Sequence, residues 1–121
     1  MHKYMKTEDI VEGLNRHIEA KREESGIKTT GHLILHKEVE PHSSFRAYKI
    51  YKYTLWFVKD KKSHRVLTLQ HSAKVLNGQE ENVIREINII FSEMIFNWMH
   101  SSFYEKIIKG EYNGVSEDSN E

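Results

Sequence analysis

No cysteine occurs among the 121 residues, and there is only one proline. The missing cysteine excludes disulfides and thiolate metal sites, and it fits a reducing compartment, so we expect a cytoplasmic location. No stretch approaches the roughly 20 apolar residues that a membrane span needs. The first ten residues also lack the apolar segment of a secretion signal. We therefore expect no membrane partner.

The length of the chain fits one domain. Residues 1–110 hold all of the apolar periodicity and are predicted to form a single α+β domain. Residues 111–121 are acidic and lack that periodicity, so this tail is predicted to be disordered.

Charge is segregated along the chain although the formal net charge is zero. Residues 1–27 carry 5 cations and 6 acids, residues 28–76 carry 10 and 3, and residues 77–121 carry 3 and 9. The basic middle can form a local patch for a polyanion. The alternative is that acidic helices lie beside the basic strands and neutralise them.

A first helix is predicted at residues 7–24. Thr7 is expected to be its N-cap, and Gly26 follows the last turn, where a left-handed residue commonly ends a helix. Apolar residues recur at helical spacing on one side, namely at Ile10, Val11, Leu14 and Ile18.

Three strands are predicted next, at residues 32–39, about 45–59 and about 64–74. Pro41 and the residues after it are predicted to form a turn, and the charged segment 59–63 is predicted to be a hairpin connection. Links this short favour an antiparallel meander in the order 1-2-3.

A long final helix is predicted at about 79–109, ending at Gly110. Its apolar stripe runs as far as Trp98, and after Met99 the apolar positions move to nearly the opposite side. A straight helix cannot bury both stripes against one sheet. Either the chain bends near residues 100–102, or a partner covers the second stripe.

The predicted fold is therefore α+β with the order α-β-β-β-α, in which both helices pack on one face of a three-stranded antiparallel meander. This order resembles that of a double-stranded-RNA-binding domain, and Pro41, His42 and Phe45 resemble that family's first turn. That family has a lysine-rich start to its second helix. Glu80 and Glu81 stand there in this chain and would repel phosphate, so the resemblance is one of topology.

The eight histidines lack the spacing of a metal site. His32 and His36 share a strand face but lie ~13 Å apart, and His64 and His71 are predicted to point to opposite faces of one strand. No serine, histidine or glycine-rich segment has the context of a catalytic motif. We therefore predict no metal, no cofactor and no enzymatic activity.

Residues 45–62 are the part of the chain richest in aromatic and basic side chains, with six of each and one acid. Alternate residues of a strand point to opposite faces. One set is predicted to pack on the helices: Tyr51, Tyr53, Leu55 and Phe57. The other is predicted to leave an open face: Arg46, Tyr48, Ile50, Lys52, Trp56 and Val58.

Two functions follow from these patterns. The first is a small interaction or regulatory module that binds a second copy or another protein, with contacts from Trp98, Met99, Phe103, Ile107, Tyr48, Ile50 and Trp56. The second is a nucleic-acid-binding protein that stacks bases on the strand 45–62, with phosphate contacts from Arg46, Lys52, Lys61, Lys62 and Arg65. Net neutrality and the acidic final helix favour the first.

Overall fold

The computed structural model describes residues 5–26, 31–41, 47–75 and 78–111. Its elements are α1 (Thr7–Glu24), β1 (His32–Pro41), β2 (Tyr48–Lys59), β3 (Lys62–Lys74), α2 (Glu80–Trp98) and α3 (Ser102–Ile108). The strands form one antiparallel sheet in the order β1-β2-β3, which confirms the predicted meander. Pro41 was predicted to begin a turn, but it is the last residue of β1 and pairs with Lys49. The rest of that predicted turn and almost all of the predicted tail lie outside the described residues.

Helix α1 has the predicted bounds but not the predicted cap. Lys6 occupies the N-cap position, and Thr7 is the first helical residue. The Thr7 side chain is buried, and its hydroxyl donates to the Glu8 carboxylate at 3.2 Å. At the other end Gly26 has a φ of 73°, so the predicted left-handed ending is confirmed.

The predicted final helix is broken into two. Helix α2 ends at Trp98, and Ser101 caps α3 by accepting the Tyr104 N–H at 3.2 Å. The break turns the second apolar stripe toward the core, where Tyr104 and Ile107 are buried. Of the two alternatives for this stripe, the chain therefore adopts the bend.

Strands β2 and β3 are joined by a two-residue turn, which is shorter than the predicted connection. Asp60 and Lys61 have φ values of 53° and 69°, a backbone that hairpins usually build from Asn-Gly or Asp-Gly. The strands consequently extend to Lys59 and Lys62, which pair with each other.

A β-bulge in β3 changes which residues share a face. Leu55 pairs with Leu67, but Trp56 pairs with Arg65, so Val66 is an extra residue. His64 then pairs with Phe57 and His71 pairs with Tyr51. The prediction that these histidines point to opposite faces was wrong, because the extra residue brings both to the side of the helices.

The core lies between that side of the sheet and the three helices. The strand residues buried there are Leu33, Tyr51, Tyr53, Leu55, Phe57 and Leu69. Around this core, ion pairs join the acidic helices to the strands. Lys37 pairs with Glu8, Lys49 lies 3.5 Å from Glu80, and His71 lies 3.4 Å from Glu86. Acidic helices thus lie beside basic strands and offset their charge. Within the described ranges, no helix combines the length and apolar content needed to cross a membrane.

Candidate functional site

The candidate site is the face of the sheet turned away from the helices, which we call the open face. The strand register assigns its members: His32, Ile34, His36, Glu38 and Glu40 from β1, Tyr48, Ile50, Lys52, Thr54, Trp56 and Val58 from β2, and Ser63, Arg65, Thr68, Gln70, Ser72 and Lys74 from β3. The alternation predicted for β2 places its residues correctly on the two faces. Arg46 lies outside the described residues.

Apolar side chains concentrate at one end of the open face. Ile34 is 43% exposed and pairs with Trp56, which is half-buried. Val58 lies two residues farther along β2 on the same face, whereas the bulge residue Val66 packs against the core. Aromatic and aliphatic residues of this kind form the centres of protein interfaces.

The charges of the open face are divided between its two outer strands. On β1 the charged residues are Glu38 and Glu40, and on β3 they are Arg65 and Lys74. The Lys52 ammonium of the central strand lies 3.8 Å from the Glu40 carboxylate, and His36 Nε2 lies 3.2 Å from Glu38. One side of the face is therefore acidic and the other basic.

Both edges of the sheet carry features that disfavour pairing with another strand. On β1, the Asn15 side chain donates to the Leu33 carbonyl at 3.0 Å and accepts the Leu33 N–H at 2.7 Å. Arg22 also donates to the Gly31 carbonyl at 3.2 Å, just before β1. The β3 edge is interrupted by the bulge at Val66. Natural sheets use such covers and bulges to prevent edge-to-edge association.

The helix residues predicted to form an interface are used within the chain. Trp98 and Ile107 belong to the core, with Ile107 only 1% exposed, and Met99 and Phe103 are half-buried against it. The Phe103 ring stacks on His64 at 4.4 Å between centroids. Little of this stripe is left for a partner, because the break after Trp98 folds it inward.

Of the five cations predicted to contact nucleic acid, the four that the structure describes do not share one surface. Lys52 and Arg65 lie on the open face, where Lys52 is paired with Glu40. Lys61 lies in the hairpin turn, and Lys62 has the parity of the helix-covered side. Glu38 and Glu40 stand on the same face as Lys52 and Arg65, which weakens the positive field of that face.

Two of the histidines that the structure describes contact carboxylates, at separate places. His36 and Glu38 are exposed on the open face, whereas His71 and Glu86 link β3 to α2 on the other side of the sheet. Among the described residues there is no group of three histidines, aspartates or glutamates that could hold a metal ion. Burial raises the pKa of Tyr51 and Tyr104, whose hydroxyls lack a hydrogen-bond partner in the part of the chain that the structure describes.

The largest exposed apolar side chain outside the sheet is Phe96, which is 62% exposed on α2. Its ring contacts His100, with centroids 4.8 Å apart, and it lines a shallow depression with Ser92, Glu93 and Asn97. A single exposed ring is common on protein surfaces and does not by itself indicate a binding site.

Comparison with protein-family models, with curated proteins and with solved structures gives no match for this chain. The topological resemblance to double-stranded-RNA-binding domains therefore finds no counterpart in these comparisons. The surfaces of the molecule remain the basis for inferring its function.

Proposed function

We propose that this protein is a small non-enzymatic interaction module that forms a homodimer through its open face. The observation that carries the proposal is the apolar cluster around Ile34 and Trp56. It stands on the side of the sheet that none of the described helices covers, while the other side is packed with helices. Burying Ile34 and its neighbours would remove apolar surface from water, at about 25 cal/mol per Å².

The face supports the proposal better than the edges of the sheet do. A continuous sheet across two copies would need the outward backbone groups of an edge strand, but Asn15 already bonds both groups of Leu33. The extra residue Val66 disrupts the regular ladder on the other edge. Stacking of two open faces needs neither edge.

The size of the face is sufficient for a specific dimer. Three strands spaced ~4.8 Å apart and about 12 residues long cover about 14 Å by about 40 Å. Two such faces amount to about 1,100 Å² of flat area, which exceeds the ~1,000 Å² expected of a biological interface. The side chains add further area to this flat estimate.

The nucleic-acid hypothesis receives less support from the arrangement of charge. The open face carries Lys52, Arg65 and Lys74 together with Glu38 and Glu40, so its excess positive charge is small. Phosphate binding relies on an excess of unpaired cations, because it is driven by counterion release. Binding to RNA or DNA is therefore an outcome to be tested against the dimer.

Sedimentation equilibrium at micromolar concentration tests the proposal, with Ile34→Glu compared against Phe96→Glu. Both positions are exposed and apolar, but only Ile34 lies on the open face. We expect a dimer for the unaltered protein and for Phe96→Glu, and a monomer for Ile34→Glu, because a carboxylate would be buried in the interface.

A monomeric unaltered protein, or a dimer that is lost only in Phe96→Glu, would contradict the proposal. A second measurement is binding of a short RNA and a short DNA duplex at low salt. Affinity for either that falls with salt and with Lys61→Ala or Lys62→Ala, in a protein that stays monomeric, would replace the dimer by the nucleic-acid function.

A further inference from the structure

We infer that the homodimer binds a zinc ion between its two copies, through His36 and Glu38 of each open face. This inference rests on the proposed function, and it names a ligand for that same interface. The two residues stand two apart on β1, so they point to the same face of the sheet. His36 Nε2 lies 3.2 Å from a carboxylate oxygen of Glu38, and both side chains are more than half exposed.

This histidine and glutamate have the spacing of two neighbouring zinc ligands. Zinc binds imidazole nitrogen and carboxylate oxygen at about 2.0–2.2 Å, so two such ligands at a tetrahedral angle lie about 3.4 Å apart. The observed separation is 3.2 Å, so the two atoms can bind one ion with little movement. The described residues of one copy offer no third histidine or acid within reach. One copy therefore supplies half of a tetrahedral site.

The strand register places a second half-site opposite the first when two open faces overlap fully. The open-face residues of β2 span residues 48–58, and Tyr53 is the midpoint of that span. A twofold axis that lies in the interface and crosses the strands at Tyr53 lets the two β2 strands cover each other along their whole length. Tyr53 pairs with Lys37, so on β1 the same axis passes midway between His36 and Glu38.

The ligands of the two copies converge about this axis. His36 of one copy lies over Glu38 of the second copy, because the two residues flank the axis at equal distances. Packed sheets lie ~10 Å apart, so each copy has to reach ~5 Å into the interface, which the side chains of histidine and glutamate can do. Two histidines and two glutamates then surround one point on the axis, and zinc accepts such a donor set.

The same axis brings together the apolar and aromatic residues of β2. Trp56 meets Ile50 of the second copy, because both are three residues from Tyr53. Val58 meets Tyr48 of the second copy, because both are five residues from Tyr53. Apolar and aromatic side chains thus meet their own kind, as in the centre of a protein interface.

The axis also keeps like charges apart. Each of the other charged residues that the structure describes on the open face meets an uncharged residue of the second copy: Lys52 meets Thr54, Arg65 meets Ser72, Lys74 meets Ser63 and Glu40 meets Ile34. The variant Ile34→Glu would place a second carboxylate against Glu40, which agrees with the monomer expected for that variant.

Sedimentation equilibrium of the untagged protein, in EDTA and with added Zn²⁺, tests the metal site. A metal that binds the dimer and not the monomer tightens dimerisation by mass action. Zinc at about 100 times its dissociation constant should therefore lower the dimer dissociation constant about 100-fold. Mg²⁺ at the same concentration should leave it unchanged, because magnesium selects oxygen ligands. Native mass spectrometry should count one zinc ion per dimer.

Variants of β1 assign the response to its ligands. His36→Ala and Glu38→Gln each remove one ligand from both copies, so we expect them to dimerise in EDTA and to lose the zinc response. His32→Ala is the matched control, because His32 stands on the same face of β1 but ~13 Å from His36. It should keep the full zinc response.

A dimer dissociation constant that does not change with zinc, a zinc response that survives in His36→Ala, or one zinc ion bound per copy would overturn the metal site. Each of these results would leave the proposed homodimer standing if the dimer forms in EDTA and is lost in Ile34→Glu. A protein that is monomeric with and without zinc would instead remove the proposed function itself, so the two failures can be told apart.

Discussion

The two faces of β2 have the same backbone and neighbouring side chains, yet they differ in what covers them. On the helix side Tyr51, Tyr53, Leu55 and Phe57 are at most 3% exposed, whereas on the open side Ile50, Trp56 and Val58 are half-buried. Burial of the first set is complete within one chain. The helix side thus stabilises the fold, and our proposal assigns the open side to association. The predictions that follow test this division between the faces.

The largest expected effect is a difference in the free energy of unfolding between substitutions at two adjacent residues of β2. Leu55→Ala should lower the free energy of unfolding by about 2–5 kcal/mol, because Leu55 is fully buried and its truncation leaves a cavity. Trp56→Ala should cost about 1 kcal/mol, as expected of a residue outside the core. Urea unfolding of both variants at several protein concentrations separates these costs from any contribution of dimerisation. Equal costs at the two positions would refute the division between the faces.

The second prediction concerns Gly31, which lies close to the Phe57 ring on the helix side of the sheet. A Cβ added to Gly31 would lie 2.3 Å from Cζ of Phe57, a core residue that is 1% exposed. We expect Gly31→Ala to lower the free energy of unfolding by about 1–3 kcal/mol, because the Phe57 ring has to move within a packed core.

Gly13→Ala on α1 is the matched control, because nothing lies within 4 Å of its added Cβ. It should raise stability by up to about 1 kcal/mol, since alanine is the better helix former. Thermal unfolding of both variants provides the measurement. If Gly31→Ala were neutral, the Phe57 side of the sheet would be packed more loosely than its burial indicates.

The third prediction concerns the contact that joins α1 to β1. Asn15→Ala removes both side-chain bonds to the backbone of Leu33, and we expect a loss of about 1–2 kcal/mol. The Leu33 amide should also exchange its hydrogen faster, because its partner is gone. Arg16→Ala is the control, since Arg16 makes an exposed pair with Glu12, and it should change stability by less than about 0.5 kcal/mol.

Much of this division could be predicted from the sequence, because alternation in a long strand is a strong signal. The 12 residues of β2 leave little freedom once Leu55 and Phe57 are assigned to the core. The break after Trp98 was likewise indicated by the change in phase of the apolar positions. Both signals arise from burial, which sequence periodicity reports directly.

Features that depend on local backbone geometry were not predictable in this way. The extra residue in β3, Val66, has no glycine or proline nearby that would predict a bulge. It nevertheless determines on which face of the sheet His64 and Arg65 lie. The Asp60–Lys61 turn lacks the glycine that usually indicates a two-residue hairpin turn. Its length therefore could not be predicted from this lysine-rich segment. The opposite charges of the outer strands on the open face also depend on this register and emerge only from the paired strands.

The smallest expected effect is a pH dependence of stability. It comes from the Lys37–Glu8 pair at the rim of the helix side of the sheet. The hydrogen bond from Lys37 holds the pKa of Glu8 below its ordinary value of 4.5. A carboxyl whose pKa is lower in the folded state stabilises the fold above its unfolded pKa, and this contribution is lost as the pH falls through the folded pKa. Both side chains are substantially exposed, so solvent screening limits the pair to roughly 0.2–1 kcal/mol.

A double-mutant cycle of Glu8→Gln and Lys37→Met measures the coupling energy between these two side chains. Methionine is chosen because the Lys37 ammonium lies 5.4 Å from the centre of the Tyr53 ring, and methionine keeps an apolar stem near that ring. We expect a favourable coupling at pH 7 that weakens as the pH falls below the ordinary Glu8 pKa of 4.5 and that shrinks in 1 M salt. The same cycle at Lys52 and Glu40 of the open face, where the atoms are 3.8 Å apart, should give a smaller coupling in the monomer. A larger coupling there would mean that the open face also contributes to folding, and the division between the faces would have to be given up.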